Sequence, residues 1–167
     1  QAIELNSLCL NLLDLPALNL IDPALNRLLD HFLDEDLGRG DLTAVAVGEH
    51  YGGAYWIAKQ PGVFCGGPFI KLLFKRLDDE VQIRQLVADG ESFISGQRLL
   101  EIEGPARILV AGERTALNIS MRLSGVSTAT ARLVRELVGT NIQLVDTRKT
   151  TPGIRLLEKY AVRCGGG

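Results

Sequence analysis

The chain is most constrained by a change of rhythm at Ala111. From there to Gly139, apolar side chains recur at helical spacing, among them Leu117, Met121, Leu133 and Leu137, with Ser124-Gly125 as a break or close-packing point. A short apolar run, Ile142 to Val145, follows and reads as a strand of the kind buried on both faces in a parallel sheet. Pro152 is placed to start the next helix, on which Ile154, Leu157, Tyr160 and Ala161 share a face. Helix, buried strand, loop and helix form the opening unit of an α/β barrel or a doubly wound sheet, and one strand cannot close a barrel. The sequence stops at Gly165 to Gly167, directly after that unit. A fragment of a longer protein is therefore expected, and the start on Gln1, with Met121 as the one methionine, points to a trimmed or processed beginning.

The preceding residues follow other rules. Asp22 and Pro23 suit the cap and first turn of a helix, and Leu25, Leu28, Leu29, Phe32 and Leu33 then fall on one helical face, which stops near Gly38 and Gly40. Ala54 to Ala58 and Val63 to Cys65 read as strands joined through Gln60, Pro61 and Gly62, and Phe69 to Leu77 as a short helix. Short strands punctuated by Asp89-Gly90, Gly96 and Gly104-Pro105 come next. The expected fold is an α+β N-terminal sandwich of helices on an antiparallel sheet over residues 1–110, followed by the beginning of an atypical α/β barrel over residues 111–167, which is incomplete.

Composition excludes several classes. With 46% hydrophobic residues and a mean hydropathy of +0.13, the chain can bury a core and is neither disordered nor collagen-like. No apolar run reaches the roughly 18 residues of a membrane span, and no signal peptide is read. Cys9, Cys65 and Cys164 are odd in number, far apart and without a CxxC pair, so neither a disulfide framework nor a zinc site is suggested and a reducing cytoplasm is the default. Neither nucleic acid nor membrane is expected as a partner. The net charge of −2 hides an asymmetry: residues 1–97 carry 14 acids against 7 Lys/Arg, and residues 98–167 carry 6 acids against 11 Lys/Arg, nine of them arginine. Arginine suits bidentate grips on carboxylate and phosphate, so the second half is expected to meet an anionic ligand.

The loop "DTRKTTPG", residues 146–153, lies where that ligand would sit, because barrels and open parallel sheets collect ligands at the C-terminal ends of their strands. Arg148 can clamp a planar anion, Lys149 supplies a point charge, and the threonine hydroxyls and helix-opening N–H groups can meet phosphate. The competing reading is a capped turn, with Thr151 as N-cap before Pro152 and Arg148 merely solvated.

Three stretches, "EDLGRGDLT" at 35–43, "ERTALNISMRLSGVSTAT" at 113–130 and "DTRKTTPGIRLLEKYAVRCGGG" at 146–167, resemble the quinolinate phosphoribosyltransferase family in the family's order. The resemblance runs from about Ile21 to the last residue. It implies a pentosyltransferase that converts quinolinate and phosphoribosyl pyrophosphate, with Mg2+, into nicotinate mononucleotide, pyrophosphate and CO2 in NAD biosynthesis. It also implies a homodimer or a multiple of dimers, in which one subunit's N-terminal domain covers the other's barrel mouth. Thr147, Arg148 and Lys149 match the positions that bind substrate, Lys149 the catalytic one, and Arg114 matches an arginine contributed across the dimer interface. The ligands of Mg2+ are expected beyond these positions, as are a histidine-arginine pair, a lysine and acids of later strands. The chain by itself is therefore expected to be inactive in an assay of nicotinate mononucleotide formation.

The physical chemistry agrees with the resemblance, since two polyanionic substrates need a cationic site, and holding them together against their repulsion is itself a large part of such catalysis. Other residues keep plainer readings. Lys159 and Arg163 face the cationic site or complement a helix C-terminus. Gly165 to Gly167 form a C-cap and loop, His31 and His50 show no metal spacing, and Asp36 and Asp41 are turn and capping residues. Two alternatives are weighed. A pyrophosphorylase-like protein associated with molybdenum transport shares parts of the motifs, but "DTRKTTPG" and "EKYAVRCGGG" look closer to the quinolinate enzymes. The stretch "DGESFISGQRLLEIEG" at 89–104 resembles the hairpin of biotinyl and lipoyl carriers, but Pro105, Ala106 and Arg107 stand where a carrier needs its exposed lysine.

Overall fold

The computed structural model describes residues 20, 22–38, 40, 46–48 and 50–167, so Cys9 and Asp41 lie outside the described residues. Helix α1 spans Pro23–Leu37, with Asp22 as N-cap: its side chain accepts from the Ala24 N–H at 2.8 Å. Leu25, Leu29 and Leu33 are buried along its inner face, as the spacing predicts. Strands β1 (Tyr51–Ile57), β3 (Gln82–Gln85) and β5 (Arg98–Pro105) form an antiparallel sheet with β5 in the middle, while β2 (Gly62–Val63) and β4 (Ser92–Phe93) make a separate short ladder. Tyr51 faces Pro105 and Ile83 faces Ile102 in register. The turn at Gln60-Pro61-Gly62 thus leads from one sheet into the other.

Helix α2 (Gly67–Leu77) buries Phe69, Ile70, Leu73 and Phe74, which join Phe64, Leu100 and Leu123 in one core. Each such side chain contributes about 1.5–3 kcal/mol by leaving water. Helix α3 (Ala106–Glu136) then runs unbroken through residues 110 and 111 and past Ser124-Gly125. Ser124 is the close-packing point instead of a break: its hydroxyl accepts from the Cys65 N–H at 3.0 Å and lies 3.3 Å from the Cys65 carbonyl.

Two expectations are corrected here. The buried face of α3 is Leu109, Ala111, Gly112, Thr115, Ala116, Ile119, Ser120, Leu123, Ser127 and Thr130, whereas Met121 and Leu133 are exposed. Small side chains win that face because neighbours press close: a Cβ on Gly112 would stand 2.4 Å from Phe74 Cε1. Nor does Ile142 to Val145 form a strand; the backbone there is irregular, with Ile142 65% and Val145 73% exposed. A strand buried on both faces needs neighbours to pair its N–H and C=O groups, and none is present among the described residues.

The last helix, α4 (Arg155–Cys164), begins three residues later than Pro152 suggests, because Gly153 takes a left-handed turn (φ 88°) and Ile154 becomes the N-cap. Leu157, Tyr160, Ala161 and Cys164 are buried beneath it. Gly165 to Gly167 close the helix as expected, their N–H groups returning to carbonyls of residues 161–163. Among the described residues no helix is long and apolar enough to cross a membrane.

Candidate functional site

The loop at residues 146–151 hangs between α3 and α4, and α4 holds it at four residues. Arg155 Nη2 donates to the Arg148 carbonyl at 3.3 Å and its Nε to Thr150 Oγ1 at 3.1 Å. Lys159 Nζ meets Asp146 Oδ1 at 2.5 Å, so Lys159 faces the loop. Glu158 takes the Thr151 N–H on Oε2 at 3.0 Å and the Thr151 hydroxyl on Oε1 at 2.8 Å. Thr147 Oγ1 accepts from the Lys149 N–H at 3.3 Å. What α4 leaves free is the pair of cationic side chains. Thr147, Arg148 and Lys149 are exposed, and among the described residues neither the guanidinium of Arg148 nor the ammonium of Lys149 has a hydrogen-bond or ion-pair partner.

Glu158 is only 8% exposed and also ties the loop to α3, because Arg122 Nη2 and Nε reach its Oε1 at 2.6 and 3.2 Å. Arg122 Nη2 touches Thr151 Oγ1 as well, at 3.0 Å. Burial by itself would raise the Glu158 pKa, but the Arg122 and Thr151 hydrogen bonds outweigh it and hold the carboxyl below its ordinary range. Arg122 borders a cleft of about 310 Å³ that α1, α3 and α4 share, lined also by Phe32, Asp36, Thr115 and Leu157. Asp36 carries Arg114, whose Nη1 is 2.6 Å away while most of the side chain stays in solvent. Arg114 and the loop are thus brought to one side of α3 through different partners: Arg122 follows Arg114 by eight residues, about 12 Å along the helix.

A second polar cluster lies inside. Asp89 accepts four hydrogen bonds: from the Gly66 and Gly67 N–H groups at 2.8 and 3.0 Å, Gln85 Nε2 at 3.0 Å and the Tyr160 hydroxyl at 3.0 Å. Cys65 and Cys164 lie beside it, and the ligand atoms of the three fall within 4.8 Å of one another. Hydrogen bonding with Cys164 and burial push the Cys65 thiol up, and burial followed by the Asp89 charge does the same to Tyr160, so both are neutral. Magnesium asks for an octahedron of oxygens. Two thiols and a carboxylate with its lone pairs already used do not fit it. His31 and His50 are exposed and join no such cluster among the described residues.

Sequence reasoning singled out the loop cations and Arg114 and passed over Arg122, Glu158 and Arg155, which tie the loop to the two helices. Glu158 left one signal: together with Arg155 and Lys159 it repeats at i, i+3 and i+4 directly after a threonine-rich turn, which puts three polar side chains on one face of α4.

Helices on an antiparallel sheet, continued by one long helix, an irregular run that presents adjacent cations and a last helix, define an α+β domain with a helical extension. Residues 41–124 match the N-terminal domain of quinolinate phosphoribosyl transferase and residues 126–167 its C-terminal domain; the chain belongs to this family. It is 48% identical over 144 residues, 86% of this chain, to a Bacillus subtilis protein named "probable nicotinate-nucleotide pyrophosphorylase (carboxylating)". Over 152 residues, 90% of this chain, it is 38% identical to the human nicotinate-nucleotide pyrophosphorylase (carboxylating). The solved nicotinate-nucleotide pyrophosphorylase from Francisella tularensis superimposes with a TM-score of 0.82 at 38% identity, covering 86% of this chain and 52% of that one. The chain spans about half the length of the curated relatives it matches.

Proposed function

We propose that the chain contributes the anion-gripping part of a phosphoribosyltransferase site that joins quinolinate to phosphoribosyl pyrophosphate, with loss of pyrophosphate and CO2, to give nicotinate mononucleotide. The observation that carries this is the pair Arg148 and Lys149, adjacent, exposed and, among the described residues, unpartnered on a loop otherwise tied down. Unpaired cations on a tethered loop meet an anion without first breaking an ion pair or ordering their backbone.

In this reading Arg148 grips a substrate carboxylate, and Lys149, helped by the Thr147 hydroxyl, offsets charge on phosphate oxygens. The pyridine nitrogen of quinolinate attacks the anomeric carbon as its bond to pyrophosphate breaks, and the departing oxygens take up the negative charge that Lys149 stabilises. The neighbouring carboxylate then leaves as CO2, its bonding electrons passing to the ring carbon, where a proton replaces it. Arg114, largely exposed on α3, is assigned to the site of a second copy in a dimer or a multiple of dimers. Magnesium accompanies the pyrophosphate donor, and no step is assigned to it on these residues. A cytoplasmic enzyme of NAD synthesis is the setting this chemistry suits, and the free thiols of Cys65 and Cys164 agree with a reducing one.

Calorimetric titration of quinolinate tests the assignment. Arg148→Ala is expected to weaken binding at least about tenfold, since a charge-assisted hydrogen bond contributes roughly 1.5–3 kcal/mol. Equal affinity of the variant and the parent would sink the role given to Arg148.

A further inference from the structure

We infer that Glu158, acting with Arg122, is a positioning residue that sets the conformation in which Arg148 and Lys149 meet their ligand; the inference rests on the anion-gripping reading of that loop. Three residues of one face of α4 hold the loop, but they differ in kind. Arg155 and Lys159 hold it by exposed or half-exposed contacts to Arg148, Thr150 and Asp146. Water competes well for such contacts, and each adds little. Glu158 holds it from beneath, screened from water, and is braced from the opposite side by Arg122 of α3.

That bracing fixes the carboxylate plane. Oε1 receives Arg122 Nη2, Arg122 Nε and the Thr151 hydroxyl, leaving Oε2 directed to the Thr151 N–H. Thr151 ends the loop, two residues after Lys149, so its backbone position limits where the cationic pair can go. The arrangement serves two ends: it joins α3 to α4, and it transmits the joint to the loop through the N–H and the hydroxyl of Thr151. A strut between helices alone would need only the Arg122–Glu158 pair.

Glu158→Gln separates the roles. An amide offers a single acceptor oxygen, so its NH2 group must face either the Thr151 N–H or Arg122, and one contact is lost. The Arg122 side chain is 56% exposed and can be hydrated when released, so the fold is expected to survive. The expected results are a melting temperature within a few degrees of the parent and quinolinate binding weakened roughly ten- to hundredfold, the scale of a misplaced binding group. In the double variant Glu158→Gln/Arg148→Ala, the loss is expected to stay within about twofold of Arg148→Ala alone, because a group acting through Arg148 has nothing left to position. Nitrogen-15 relaxation supplies a readout that needs no ligand: order parameters of Thr147, Arg148 and Lys149 are expected to fall below about 0.6 in Glu158→Gln, with the helices unchanged.

Unchanged affinity in Glu158→Gln, losses that multiply in the double variant, or an unchanged loop order each overturn the inference. If the parent protein binds no quinolinate, the functional reading falls, and the relaxation measurement decides the positioning role by itself. Should Glu158→Gln fail to fold, Thr151→Val removes the hydroxyl from the loop side and leaves the Arg122–Glu158 pair intact; it is expected to raise loop mobility in the same direction, and an unchanged loop there is equally decisive against it.

Discussion

Asp89 and Glu158 are exposed to nearly the same extent, 9% and 8%, yet they are satisfied by opposite means. Asp89 collects neutral donors: two backbone N–H groups at the start of α2, an amide and a phenol. The positive end of the α2 dipole adds to them. Glu158 collects a guanidinium together with the N–H and hydroxyl of one threonine. Both involve α4, through Tyr160 and Glu158, which stand two positions apart and so lie on different faces of that helix. The inner face seals the core, with Tyr160 packed edge-on against Phe69 at 5.2 Å. The other face holds a loop whose cations Arg148 and Lys149 have no partner among the described residues. Equal burial thus says little about a carboxylate's task; what its donors are attached to says more.

The difference is sharpest under truncation. Asp89→Ala would leave the Gly66 and Gly67 N–H groups, Gln85 Nε2 and the Tyr160 hydroxyl without the acceptor they share. The expected loss is about 3–5 kcal/mol of unfolding free energy, seen as a lower urea midpoint at an unchanged slope. A loss below about 1 kcal/mol would erase the distinction between the sealed carboxylate and the braced one.

How much of this was legible in the residues follows the same division. Helix α1 was readable because five apolar side chains at helical spacing need no partner outside the helix to declare their face, and Asp22-Pro23 marks its start. The helices-on-sheet layer was readable from turn glycines such as Gly90 and Gly96, which do take left-handed conformations. The buried face of α3 was not, because Gly112, Ala116 and Ser127 face inward for want of space, which a count of apolar residues cannot register. Ile142 to Val145 misled for a related reason: the strand state of so short a run lies in its neighbours. At the site, the cations of the loop announced themselves by being adjacent, whereas Glu158 and Arg122 are separated by 36 residues and meet only through the packing of α3 on α4.

Acid probes the braced carboxylate by a second route. The Glu158 pKa is lowered in the folded protein, so its contribution to stability is fully present above the ordinary carboxyl value of 4.5 and is lost as pH falls through the lower folded value. The parent protein is therefore expected to lose stability as pH falls below 4.5 more steeply than Glu158→Gln, which has no proton to take up at that position. Parallel acid limbs in denaturant melts of the two proteins would remove the charge of Glu158 from the account.

The smallest effect belongs to a third carboxylate that isolates the contribution of burial. Glu101 of β5 has two arginine neighbours, Arg84 at 3.2 Å and Arg98 at 3.3 Å, but its side chain is 30% exposed and those of Arg84 and Arg98 are 73% and 54% exposed. Arg98 has another contact to rely on, lying 4.1 Å from the ring centre of Tyr55. When Glu101 is removed, both guanidinium groups hydrate where they stand, and the lost attraction is of the size that water and salt already screen. Glu101→Ala is thus expected to cost about 0–1 kcal/mol and to shrink further as ionic strength rises. A loss matching that of Asp89→Ala would mean that the number of charged partners, and not their removal from water, decides what a carboxylate contributes to this fold.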